Sequence, residues 1–215
     1  MARSPRVGIR RGILYDINRS RLATPAFDNQ YQVDINVDGT GDKRPLVRFI
    51  SQNYGVGKRY ILDNIGIACY DATLPTSSYA TAEVKDNFHG INQQFAHTRL
   101  YVDSDFSFYV DKDYNVLKFF EGWMDFISSG GSQKQSSDSY YRRMQYPSAY
   151  KCDGLTITKF DRNINSSITH QFKNAFPKSM QAIPVKYGDA EVLKVTVAFA
   201  YDRYIFVPNK QRYIE

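Results

Sequence analysis

The chain has 215 residues, 42% hydrophobic and 15% aromatic, with 17 Tyr and 14 Phe supplying nearly all the rings. That composition fits one domain with extensions and a packed, strand-rich core. No run approaches the ~20 apolar residues that would cross a bilayer as a helix, and two distant cysteines, Cys69 and Cys152, are too few for a disulfide framework or a thiolate zinc site, so they are expected as small buried hydrophobes.

The net charge of +6 is concentrated at the start. Arg3, Arg6, Arg10, Arg11, Arg19 and Arg21 stand against one acid, Asp16, so the first 22 residues carry +5 and leave the rest at +1. This is a nearly neutral body with a basic arm over residues 1–26. Such an arm suits nucleic acid or an acidic neighbouring protein. The arm lacks the apolar stretch of a secretory signal, while its Arg-rich, acid-poor composition is also that of a mitochondrial presequence.

After Pro25, Tyr31, Val33, Ile35 and Val37 alternate with polar residues, which predicts a half-buried strand. Residues 38–42 form a turn-rich break. Short apolar runs at 46–50 and 60–69 read as two strands joined by a flexible loop containing Asn53, Tyr54, Gly55, Val56, Gly57 and Lys58. Residues 80–88 and 92–102 read as a second pair with Gly90 at the bend, and 105–110 as a strand with Phe106, Phe108 and Val110 on one face.

One helix is predicted over 115–129, because Val116, Leu117, Phe119, Phe120, Trp123, Met124 and Ile127 recur at helical spacing. Asp113 or Asn115 would cap its start, Gly130 and Gly131 would end it, and Trp123 would lie in the core. Residues 128–139 are polar and Gly/Ser/Gln-rich, a loop composition. Strands resume over 140–161 around an Asp153-Gly154 turn, and a further strand and loop region fills 168–185.

The last long run separates two faces. Leu193, Val195, Val197, Phe199 and Tyr201 form a core face, expected against the helix of Trp123. Lys194, Thr196, Ala198, Ala200 and Asp202 form a small, charge-balanced face able to meet a channel or a neighbour. Seven or eight strands and one helix, without βαβ alternation, predict a mainly β protein: an antiparallel sandwich or barrel with one flanking helix.

Motifs for catalysis fail on inspection. Gly55-Val56-Gly57-Lys58 has Gln52 where a phosphate loop needs its first glycine, and Arg59 where it needs Ser or Thr. Residues 111–122 have Val116 and Gly122 where a calcium loop needs Gly and Glu. His89, His97 and His170 form no paired metal spacing. No nucleophile motif is present. The reading is a non-enzyme without cofactor or metal. Tyr140, Tyr141, Arg142, Arg143 and Tyr146 interleave rings and cations, as a base-stacking surface or a protein interface would.

Four segments, taken in order, resemble the tail tube proteins of contractile-tailed bacteriophages. Residues 21–35 (RLATPAFDNQYQVDI) resemble that family's first strand, and 69–75 (CYDATLP) its A-x-LP turn. Phe119-Phe120-Glu121-Gly122-Trp123 is similar to its F-x-x-W helix. Residues 174–179 (NAFPKS) and 195–204 (VTVAFAYDRY) resemble its FP turn and closing strand, with Arg203 standing before Tyr204 where the family has an aromatic directly after Asp. The resemblance covers roughly 20–207.

The resemblance implies a virion structural protein whose copies form rings, six to a ring, that stack into an inner tail tube. Its partners would be itself, the sheath, baseplate and terminator proteins, and genomic DNA that passes without specific binding; no membrane is involved. Assembly would occur in the bacterial host cytoplasm. Alternatives are a tube initiator or terminator ring of the same fold, or a nucleic-acid-binding β-module. On this reading 27–207 is the tube domain, 38–59 the stacking loop, the arm's arginines lie on subunit contacts rather than in the lumen, and 208–215 is an extension making inter-ring or sheath contacts.

Overall fold

A computed structural model describes residues 28–37, 45–85, 90–129, 143–160, 166–185, 187–188 and 191–210. Ten strands form two four-stranded antiparallel sheets and a separate hairpin. The first sheet has the order β1 (Tyr31–Asn36), β6 (Gly154–Phe160), β7 (Ser166–Lys173), β10 (Arg203–Lys210). The second has the order β2 (Cys69–Ala72), β5 (Ser104–Tyr109), β9 (Lys194–Ala200), β8 (Phe176–Met180).

Alternation places the core. Val33 and Ile35 on β1 are buried while Gln32, Asp34 and Asn36 are exposed. On β9, Val195, Val197 and Phe199 are buried and the residues between them are not. Phe106 lies directly across from Val197, and Phe108 from Val195. Phe172 of β7 meets Phe106 edge-on at 5.9 Å, which joins the two sheets.

The predicted helix spans Asn115–Ser129 (α3), with its apolar stripe turned inward. Phe120 contacts Phe108 and Phe199, and Trp123 lies 6.1 Å from Phe199, so α3 closes one side of the core as expected. Trp123 is fully buried, and its indole N–H donates to the Tyr150 carbonyl at 3.0 Å, so the ring is inserted without an orphaned donor. The helix cap differs from expectation. Asp111 accepts from the Asn115 backbone N–H and side-chain amide, both at 2.7 Å, and neither Asp113 nor Asn115 is the acceptor there.

Three regions correct the sequence reading. The runs at 46–50 and 60–69 are mainly helical: α1 (Pro45–Asn53), α2 (Lys58–Asp63) and a 3₁₀ turn (Gly66–Ala68) leading into β2. Leu46, Val47, Phe49 and Ile50 bury a helical face. The crossing of α1 over α3 is close at Gly122, where a Cβ would meet Tyr54 Cδ2 at 2.9 Å and Ile50 Cγ1 at 3.2 Å. Residues 147–150 likewise form a short helix, α4 (Pro147–Tyr150), rather than strand. At the other end of the chain, β10 continues through Pro208 to Lys210, so those residues belong to the body and not to an extension. The first 26 residues, the Gly130-Gly131 stop with most of the loop after it, and residues 211–215 lie outside the described residues.

Candidate assembly surfaces

Among the described residues, strands β3 (Ser77–Val84) and β4 (Gln93–Tyr101) pair only with each other, with Gly90 at φ +65° in the connection before β4. The hairpin predicted from sequence is therefore present, but it stands away from both sheets. Its register sorts its side chains. Ser78↔Leu100, Ala80↔Thr98, Ala82↔Phe95 and Val84↔Gln93 put Ala80, Ala82, Val84, Phe95 and Leu100 on one face. Tyr79, Thr81, Glu83, Gln94 and Arg99 take the other. A bulge after Ala80 absorbs one extra residue and keeps this sorting. The apolar face is bare: Phe95 is 53% and Leu100 49% exposed.

A cluster at the hairpin's base fixes it to the body. Arg99 donates through Nε to Ser77 Oγ at 3.0 Å and through Nη2 to the Tyr204 hydroxyl at 3.4 Å. Its guanidinium lies 5.2 Å from the Tyr101 ring centre and 5.5 Å from that of Tyr204. Tyr201 donates its hydroxyl to the Val102 carbonyl at 2.6 Å. No local motif announces this cluster, because Tyr204 is more than a hundred residues from Ser77 and Arg99 in sequence.

The open face of the β2-β5-β9-β8 sheet carries Lys194, Thr196, Ala198 and Ala200, as the alternation predicted. Thr196 and Ser107 hydrogen-bond at 2.8 Å between hydroxyls. Tyr70 and Tyr109 stack at 4.3 Å, with the Lys194 ammonium 5.3 Å from the Tyr70 ring. Across from these residues, Asp105 and Asp71 share the face through their pairings with Ala198 and Ser107. Asp202 departs from the expected stripe. It sits in the turn between β9 and β10, where its carboxylate takes Lys151 Nζ at 3.0 Å and Asn174 Nδ2 at 2.6 Å. These bonds, the Lys151 contact foremost, hold its pKa below the usual carboxylate range.

The loop expected to be flexible is packed. Asn53 ends α1, Val56 is fully buried, and the Tyr54 hydroxyl donates to Asp125 at 3.2 Å. Gly55, Gly57 and Lys58 do lie at the surface. Arg3, Arg6, Arg10, Arg11, Arg19 and Arg21 lie outside the described residues, as do Tyr140, Tyr141 and Arg142.

Among the described residues the titratable groups offer no reaction centre. Burial pushes the Cys69 thiol up to about 12, which keeps it protonated. His170 is buried against Phe206 and Tyr204, and burial lowers its basicity. Among the described residues no three His, Cys, Asp or Glu gather as a metal site, and no helix is long and apolar enough to cross a membrane.

Two antiparallel sheets with a separate hairpin whose apolar residues are exposed define a mainly β class of protein. The family comparison makes that class specific: the phage tail tube protein family model matches residues 26–207, and the chain belongs to that family. The family is structural, and the chain is a tube component rather than an enzyme. No match was found among curated proteins. Similar folds include a chain of the sheath-tube complex of the PVC extracellular contractile injection system in its extended state (14% identity, 85% of this chain and 91% of that one, TM-score 0.52). A chain of the anti-feeding prophage baseplate, solved with 6-fold symmetry, gives 11%, 86%, 96% and 0.54. A chain of that prophage's tube-terminating cap gives 12%, 86%, 92% and 0.53.

Proposed function

We propose that this chain is the repeating subunit of a phage inner tail tube, assembling into six-membered rings that stack and conduct the genome. The observation that carries the reading is the hairpin's uncovered apolar face on a tube-protein fold. Hairpins alone are marginal in water, and a bare apolar strand pair needs a partner. The open β2-β5-β9-β8 face is the proposed lumen or neighbour wall. Small side chains at Ala198 and Ala200, the Thr196 hydroxyl, and one cation among two carboxylates make a surface that does not grip phosphate.

The proposed partners are further copies, a sheath outside, baseplate and terminator proteins at the ends, and DNA passing unbound, all joined in the host cytoplasm. The arginines of the arm are assigned to subunit contacts or the outer wall. Gly55, Gly57 and Lys58 are a secondary stacking contact, and the residues after Lys210 are assigned to inter-ring or sheath contacts. Electron micrographs of purified protein test the reading: rings or hollow rods support it. Tight DNA binding by the isolated chain that falls steeply with salt would instead favour a nucleic-acid-binding module. A terminal-ring role is the second reading, favoured by the fold shared with chains in baseplate and cap structures. Copy number per particle separates a terminal ring from the tube body.

A further inference from the structure

The hairpin meets the body across a break in the strand ladder. On the body side the Thr73 N–H donates to the Asp105 carbonyl at 2.9 Å, and the hairpin begins at the pair Ser77↔Tyr101. Between these points the chain passes through residues 74–76 on one side and Val102 and Asp103 on the other, outside any strand. Sheet hydrogen bonds among the described residues therefore do not set the hairpin's angle.

We infer that Arg99 sets this angle. It is a positioning residue for assembly, and it acts through Tyr204 of the body rather than by touching a neighbouring copy. The inference rests on the tube reading and adds to it the device that aims the hairpin. Three observations support it.

The first is reach. From β4, Arg99 donates to Ser77 of β3 at 3.0 Å and to the Tyr204 hydroxyl of β10 at 3.4 Å. The Ser77 and Tyr204 hydroxyls lie 3.3 Å apart. One guanidinium thus joins both hairpin strands to the body.

The second is chemistry. Among the described residues Arg99 has no carboxylate partner; two hydroxyls and the rings of Tyr101 and Tyr204 hold it. A planar fork on neutral acceptors fixes a direction, whereas a lysine ammonium supplies the charge without that geometry.

The third is the anchor. The Tyr204 ring meets Tyr101 edge-on at 5.6 Å and lies 5.8 Å from His170. In the turn before it, the Tyr201 ring packs on buried Phe172 at 4.8 Å, and Lys151 and Asn174 hold Asp202. The body end of the clamp is rooted in the core. A hairpin free to swing would lose that freedom on docking, and the clamp removes it beforehand.

Four full-length variants test this: Arg99→Ala, Arg99→Lys, Tyr204→Phe and Arg99→Ala/Tyr204→Phe. The readouts are the protein concentration at which rods pellet and amide hydrogen exchange over residues 77–101. Arg99→Ala should raise that concentration about tenfold and speed exchange in the hairpin, because an unclamped hairpin is marginal alone. Arg99→Lys should behave like Arg99→Ala. Tyr204→Phe keeps the ring and should shift both readouts the same way by less, and adding it to Arg99→Ala should cost nothing further. Four results each overturn the inference and leave the tube reading standing: Arg99→Ala assembling at the wild-type concentration, weakened assembly with unchanged exchange, full assembly by Arg99→Lys, or effects of Arg99→Ala and Tyr204→Phe that multiply. A wild-type chain that forms no rods at any concentration removes both.

Discussion

The body and the hairpin obey opposite rules. In the body the principal apolar faces have partners within the chain: β9 on β5, Phe172 on Phe106, α3 on Phe199, α1 on α3. In the hairpin, a strand pair of equal regularity leaves its apolar face in water and holds to the body through Arg99, Ser77, Tyr101, Tyr201 and Tyr204. On the proposed reading, the same alternation serves folding in one region and association in the other. Changes in the body should therefore alter stability, and changes in the hairpin should alter only assembly.

The largest effect on stability is expected at Trp123. Trp123→Ala removes the largest fully buried side chain and its bond to Tyr150, at a cost of about 3–5 kcal/mol in denaturant unfolding. Next comes Gly122→Leu, which forces Tyr54 and Ile50 away from α3 and destabilises by about 1–3 kcal/mol, despite leucine's better helix propensity.

Acid should act on the body more weakly. His170 and Asp202 both have folded-state pKa values below their ordinary ones. Each contributes stability that is present at higher pH and lost as pH falls, His170 in a window beginning below its ordinary value near 6.5, and Asp202 at lower pH still. Asp202→Asn should cost under about 1 kcal/mol at neutral pH, because the side chain is 51% exposed, and the difference from wild type should close in acid. Thermal melts across pH check both. The smallest effect on stability, within about 0.5 kcal/mol, is expected for Leu100→Asp on the hairpin, although it should abolish assembly.

These contrasts explain what could be read from the chain. The bounds of α3 and the faces of β1 and β9 were legible because each has enough apolar residues for one period to win. The run at 46–50 was not. Over five residues an apolar cluster fits a strand or a helix, and the burial of Leu46, Val47 and Ile50 against α3 decides for helix. Glycines at 55 and 57 suggested a mobile loop, yet Val56 between them is fully buried, so residues 53–58 cannot be deleted without opening the core. Asp202 was assigned to the open face by alternation, but the strand ends at Ala200 and the turn hands its carboxylate to Lys151 and Asn174. The hairpin itself was legible as two strands and a bend. Its solitude was not, because Ala80, Ala82, Val84, Phe95 and Leu100 look like a core face, yet among the described residues no layer covers them.

The most direct test of the division between a folding body and an assembling hairpin is to replace residues 80–98 with an Asn-Gly turn. This joins Tyr79 to Arg99, which already lie opposite each other, and keeps the basal cluster. The shortened protein should unfold within about 0.5 kcal/mol of wild type and form no rods in electron micrographs, where wild type is expected to form hollow ones. Rods of normal length from the shortened chain, or a body that no longer folds, would contradict the account.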